Sequence, residues 1–343
     1  MGQRAAPEII HFPARDGFGL NFHHYQGQGT RQAEPILVLH GAGVRSNIFL
    51  PPTETTFVDA LLDAGYDVWL LNWRASIDLP PNEWTLEDAA VHDHPAAVKT
   101  IRDRTGAKTV KAVIHCQGST SFIMSIVAGL LPEVTMVISN AVALHPVVPL
   151  LAWLKSRYMT NAASSVLTYL NPQWGLSAPR GWPTMIDWFV RATHHECNNA
   201  VCKHSSFTFG AGFPTLWLHE NLDEATHEWL KGEFAHVPMT FFREMRACIE
   251  SGSLVSSGKY DALPRNFVEQ APKTEARFAF LGGQFNHCFV PESQQRTFDF
   301  FDRYAPGRNA FYELAGYGHL DVFVGKNAAR DNFPLILDEL AKG

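Results

Sequence analysis

Runs of unbroken apolar residues, each trailed by a helical stretch, restrict this chain more than any other feature. After Ile9 to Phe12 and Leu20 to Tyr25, which look like an opening pair of strands, these runs occupy Pro35 to His40, Tyr66 to Asn72, Val110 to His115 and Val134 to Asn140. After a long interruption they return at Ala276 to Leu281 and Ala310 to Leu314. Helix signals lie between them: Thr56 to Ala64 stopped by Gly65, Glu87 to Thr105 stopped by Gly106, Gly118 to Leu130, Ser293 to Tyr304, and Asn327 to Ala341. A strand without polar alternation has to be covered on both faces, and a helix after each strand supplies that cover. The pattern predicts an α/β chain with a mostly parallel, doubly wound sheet.

The alternation stops near His145. Residues 146–272 are aromatic-rich and mostly helical, and hold Trp153, Trp174, Trp182, Trp188, Trp217 and Trp229 of the chain's nine tryptophans. The expected organisation is a core of residues 1–145 and 273–343 with a helical lid, 146–272, inserted in its middle.

Composition removes several classes of function. With 46% hydrophobic and 18% charged residues the chain can bury a large core. A net charge of −6 without a Lys/Arg run speaks against nucleic acid as a partner. The longest apolar run, Phe122 to Ile138, is broken by Pro132 and Glu133, so no integral membrane segment is expected. Met1 to Arg15 carries no apolar leader core, and five cysteines leave at least one unpaired. Both observations point to a cytoplasmic chain with free thiols. A homodimer is left open.

The chemistry concentrates where the strand Val110 to His115 runs into a helix, at Ile114-His115-Cys116-Gln117-Gly118. A G-x-S-x-G elbow places a nucleophile at such a turn. Here the second glycine is kept as Gly118, Ile114 replaces the first, and Cys116 replaces the serine. An isolated cysteine is usually a buried packing residue. This one sits at a helix N-terminus, where the dipole and free N–H groups favour a thiolate. Cys116 is therefore expected to be the nucleophile and the most reactive thiol, ahead of Cys197, Cys202, Cys248 and Cys288. Ser119 and Ser121 fall within the helix and are expected to pack.

Three further pieces accompany it. His40-Gly41-Ala42-Gly43 follows an early strand, so the N–H groups of Ala42 and Gln117 are the expected oxyanion donors. Gly316-Tyr317-Gly318-His319-Leu320-Asp321 follows the last strand and offers His319 as the base, after the nucleophile in the chain. The orienting residue should follow the strand Phe278 to Leu281, where Asn286 stands instead of a carboxylate. A thiolate–imidazolium pair formed before substrate arrives needs only an orienting amide, as in Cys-His-Asn sites. The alternatives Asp261 and Asp299 stay open.

These segments resemble the α/β-hydrolase family, and within it the acid-lipase branch. The resemblance is carried by His40-Gly41, His115-Cys116-Gln117-Gly118, Gly282-Gly283 followed by Asn286 and Pro291, and Gly318-His319-Leu320-Asp321. It spans roughly residues 35–145 and 275–343. The Cys elbow is similar to that of bacterial hydrolases associated with cholesterol-oxidase-type proteins, of polyhydroxyalkanoate synthases and of dienelactone hydrolases. The resemblance implies acyl transfer through a thioester, in sterol or lipid metabolism, without a cofactor. The products are a hydrolysed ester, thioester or lactone when water is the acceptor. An acyltransferase with the same machinery, and an inactive binding module, are the alternatives.

The aromatic lid suggests an apolar acyl substrate, with Trp182 and Trp217 as the expected contacts. His194, His195, Cys197, Cys202 and His204 are metal-ligand types close together, but lack a paired C-x-x-C spacing. They are read as a lid turn or a Cys197–Cys202 pair, and no metal is expected.

Overall fold

In the computed structural model, the described residues are 5–27, 32, 34–211 and 215–343. The first four residues of the Met1 to Arg15 stretch lie outside them. Among the described residues ten strands form, numbered in chain order: β1 (Glu8–Pro13), β2 (Gly19–Tyr25), β3 (Ile36–Leu39), β4 (Val68–Asn72), β5 (Val110–His115), β6 (Val134–Asn140), β7 (Tyr169–Leu170), β8 (Val237–Pro238), β9 (Arg277–Gly283) and β10 (Ala310–Leu314). Eight of them make one sheet in the order β1-β2-β4-β3-β5-β6-β9-β10. β2 runs antiparallel to both β1 and β4, and all other pairs are parallel. The mostly parallel sheet expected from the apolar runs is present, and β3 to β6 are buried almost throughout.

Chain order reverses between β3 and β5, since β4 lies on one side of β3 and β5 on the other. In an open α/β sheet the crevice at such a reversal, beyond the carboxyl ends of the strands, is where ligands bind. That is where His40-Gly41-Ala42 and Cys116 emerge.

Local chemistry explains the helix ends. Thr56 caps Phe57–Asp63 by accepting from Asp59 N–H, while the Asp59 carboxylate accepts from Thr56 N–H. Gly106, at φ 73°, closes His94–Thr105 as its position foretells. Two long helices are broken where the sequence reading had them continuous. Glu87 to Thr105 divides into Leu86–Asp88, a wide turn over Ala89–Asp93, and His94–Thr105. Pro95 has no N–H to give the preceding turn, and the wider turn absorbs the loss. Asn327 to Ala341 divides at Asn332, ahead of Pro334, for the same reason.

The wide turn sets up a buried ion pair. Asp93 is fully buried and accepts from the Arg74 guanidinium at 2.6 Å and from Arg74 N–H at 3.0 Å. Arg74 also reaches Asp16 at 3.0 Å. Burial raises the Asp93 carboxyl to about 6 even against the pull of Arg74.

All strands of the main sheet come from residues 8–140 and 277–314. The stretch between contributes the helices Leu150–Ser164, Trp182–Thr193, Ala200–Phe209, Glu224–Trp229 and Met239–Ser251, with the small β7–β8 pair. Among the described residues, no helix is long and apolar enough to cross a membrane.

Candidate active site

β5 ends at His115, and the helix Cys116–Val127 begins at once. The chain turns on Cys116, at φ 53°. A non-glycine residue there costs about 1–2 kcal/mol, and such strain persists where the surroundings impose it. Glycines on either side make room. A Cβ on Gly118 would stand 2.3 Å from the His40 carbonyl oxygen, and one on Gly41 would stand 2.8 Å from the Cys116 Cβ. Ile114 causes no such crowding, because it is an ordinary buried residue of β5. The β3 loop is thereby pressed against the turn. The N–H groups of Gln117 and Ala42 both hydrogen-bond the Cys116 sulfur. Ser119 bonds Ser139 at 2.6 Å and Ser121 bonds His94 at 2.8 Å, so both serve packing.

His319 arrives on the loop after β10. The Cys116 Sγ and ring nitrogens of His319 and His115 lie within 4.8 Å of one another. The His319 loop is held by Asp321, which accepts from Gly318 N–H at 2.8 Å, from Asn221 at 2.7 Å and from Leu218 N–H at 3.2 Å.

Asn286 does not hydrogen-bond His319. Its amide oxygen accepts instead from the N–H groups of Cys288 and Phe289, both at 3.0 Å, because an Asn oxygen readily closes its own turn. Its Nδ2 and both ring nitrogens of His319 have no hydrogen-bond partner. Asp261 and Asp299 are exposed and cannot fill the role.

The amide that reaches the histidines is Asn140, at the end of β6 and level with His115 in the sheet. Its Nδ2 donates to His115 Nδ1 at 2.9 Å and to the His319 carbonyl at 3.2 Å. The next residue, Ala141, is also left-handed, at φ 85°. The His115 and His319 rings are 4.8 Å apart between centroids. Both His115 and Asn140 are buried. The available signal was a polar side chain closing an otherwise apolar parallel strand at the sheet's ligand edge.

Burial reverses the expected thiol chemistry. It pushes the Cys116 thiol up to about 12, although the N–H groups of Gln117 and Ala42 pull the other way. It also pushes His319 down to about 3. At rest the pair is a neutral thiol and a neutral imidazole, not an ion pair, because the cost of burying two charges exceeds what the helix end returns. Cys116 is therefore expected to alkylate slowly with iodoacetamide at neutral pH, and faster as pH rises. Peptide mapping after brief labelling checks this; rapid, pH-independent labelling would mean a standing thiolate.

A cavity of 180 Å³ opens beside Cys116 and Gln117, walled by Met159, Leu170, Ile186, Phe209, Met239 and Phe242 among others. Lys155 in its wall gives its ammonium to the carbonyls of Phe207 and Gly210. Trp182 and Trp217 do not line this cavity. Trp217 is buried against Phe234, 5.7 Å between centroids. Trp182 is half exposed and borders a separate groove with Val166 and His236. Tryptophan content marked the insertion as apolar, but which rings face the cavity depends on helix packing that the sequence does not display.

Fold and local geometry together describe an α/β scaffold with a sharp strand-turn-helix elbow at Cys116. The chain matches the alpha/beta hydrolase fold family over residues 34–325 and belongs to it. Sterol esterase 2 of Saccharomyces cerevisiae is 29% identical over 131 residues, 33% of this chain and 24% of that protein. The poly(3-hydroxyalkanoate) polymerase subunit PhaC of Haloferax mediterranei is 30% identical over 115 residues, 33% of this chain and 23% of that protein. The chain thus spans about a quarter of the length of these relatives. The structure of a thermophilic esterase from Thermogutta terrifontis superposes over 98% of both chains, with a TM-score of 0.56 at 13% identity, a likeness of fold.

Proposed function

We propose that this chain is an acyl hydrolase that uses Cys116 as nucleophile and His319 as base, acting on apolar esters, thioesters or lactones. The observation that carries this is the convergence on one sulfur of a left-handed elbow, two backbone N–H donors and a buried histidine. Similarity to a sterol esterase and to a polymerase subunit supports ester-type acyl chemistry.

With both groups neutral at rest, the thiol proton passes to His319 as the sulfur attacks the substrate carbonyl. The Ala42 and Gln117 N–H groups turn from the sulfur to the new oxyanion. His319 returns the proton to the leaving alkoxide or thiolate, leaving a thioester on Cys116. Water, deprotonated by His319, then attacks the thioester and the acid departs with the thiol reformed. His115 and Asn140 are positioning residues that hold the His319 loop against the sulfur. Asn286 closes the turn beside them.

The methionine- and phenylalanine-walled cavity fits an acyl chain without polar groups. The insertion acts as a lid over it. It also carries exposed Leu150, Leu151, Tyr158, Met185 and Trp188 on two of its helices, apolar surface that suits contact with a lipid phase. Both features favour a lipid-like substrate. Acyl transfer to an alcohol or thiol instead of water is a second reading, supported by the match to the polymerase subunit.

Mass spectrometry after exposure to a panel of acyl esters, thioesters and lactones tests this. An acyl mass on the Cys116 peptide is expected, absent in Cys116→Ala. Added alcohol or thiol that captures the acyl group would select the transferase. Folded protein with no adduct, or an adduct elsewhere, would overturn the assignment.

A further inference from the structure

The insertion gathers a second set of chemically competent side chains. Cys197 and Cys202 flank the start of the helix Ala200–Phe209. His219 opens a single turn, His219–Asn221, and His227 lies on the helix Glu224–Trp229. The four are spread over thirty-one positions, yet their sulfur and ring-nitrogen atoms all lie within 4.8 Å of one another. Cys202 Sγ is 3.4 Å from His219 Nε2, and the two imidazoles meet edge to face at 5.0 Å. Neither cysteine is in a disulfide, so of the two readings, a lid turn or a Cys197–Cys202 pair, the pair is not formed. His227 Nε2 is buried without a hydrogen bond.

We propose that Cys197, Cys202, His219 and His227 form a closed, structural zinc site. Two thiolates and two imidazoles are a common structural zinc set, bound at about 2.3 Å to sulfur and about 2.0 Å to nitrogen. A tetrahedron with those bonds has edges of about 3.3–3.8 Å, so small side-chain rotations close the present cluster onto an ion. Binding replaces two thiol protons: one Zn²⁺ enters and two H⁺ leave. A disulfide would use the sulfurs and leave two facing imidazoles without purpose.

The surroundings already orient the ligands. Asn199 accepts from Cys202 N–H at 3.0 Å and donates to the His227 carbonyl at 2.6 Å, tying two ligand segments together. Such outer contacts fix ligand geometry. With four protein ligands there is no open position for substrate. The site's influence on catalysis runs through the backbone. His219 sits on a strap whose Leu216 carbonyl accepts from Leu320 N–H at 2.8 Å. Leu218 N–H and Asn221 from the same strap bond Asp321, which holds the His319 loop. A metal fixing His219 thereby fixes the support of His319. Sequence reading passed over the site because the two histidines lie far along the chain from the two cysteines.

The test uses intact protein isolated under reducing conditions and assayed for zinc, then stripped with chelator and reloaded with Co²⁺. One zinc per chain is expected, with the visible and thiolate charge-transfer bands of tetrahedral cobalt after reloading. His115, Cys116 and His319 form an equally close trio, so variants must separate the two. Cys116→Ser should keep the cobalt bands, and Cys202→Ser should lose them. In the wild type, alkylation of Cys197 should appear only after chelation, a readout that survives if Cys202→Ser misfolds. Metal-free protein that takes up no Co²⁺, bands lost in Cys116→Ser but kept in Cys202→Ser, or a Cys197–Cys202 disulfide in reduced preparations would each overturn the proposal.

Discussion

Replacing His319 with glutamine should lower kcat roughly a thousandfold, since base and nucleophile act as one unit and losing either removes most of the gain. Glutamine fills most of the ring's space, and His319 makes no side-chain hydrogen bond whose loss would unfold the loop. Thermal melting should therefore stay near that of the parent. The loss should fall on kcat far more than on KM, because His319 moves a proton in the transition state and does not line the acyl cavity. The informative control is His115→Gln. That ring lies next to His319, but its Nδ1 is already engaged by Asn140. If His115→Gln is dead and His319→Gln turns over normally, the two histidines have exchanged roles.

The second large effect concerns stability. Arg74→Met should cost about 3–5 kcal/mol, the usual penalty for leaving one member of a buried ion pair alone. Asp93 is the member left behind, fully buried and stripped of its guanidinium partner. The sign of the pH dependence follows from its raised pKa. Folded Asp93 holds a proton up to about 6, while its ordinary value is 3.8. Between these values the folded state binds more protons, so this group's contribution to stability falls as pH rises through that window. Removing Arg74, which lowers the Asp93 value, extends the window upward. The variant's deficit in urea unfolding should thus be larger at pH 8 than at pH 5. An equal deficit at both would mean that the loss is packing and not charge. Arg74→Met with Asp93→Leu should recover much of it, since no buried charge remains.

Sequence reading succeeded where structure is dictated by local pattern. β5, β6 and β10 begin and end where the runs read from sequence do; β5 and β6 are buried almost throughout, as central strands covered on both faces must be, while β10 is a partly exposed edge strand bounded by its turns. Cys116, Gln117, Ala42 and His319 come together because chain order and sheet position place them. Asn286 was found at its expected loop but spends its oxygen on that loop. Asn140 escaped because its role exists only when β5 and β6 pair in register. The thiol's acidity was misjudged for a related reason. The helix end is visible in sequence, whereas the burial that outweighs it is built by the loops after β3 and β10 and by the insertion.

Two residues other than glycine adopt left-handed backbone among those described, Cys116 and Ala141. They sit at the carboxyl ends of neighbouring strands and hold the sulfur and the Asn140 amide in place. Only one of the two has a side chain that chemistry requires. Glycine at 141 would relax the backbone without touching any reacting atom, so selection for heat resistance alone would favour it. It would also loosen the hinge that carries Asn140, whose amide spans the His115 ring and the His319 backbone, so rigidity at that corner and backbone ease cannot both be had.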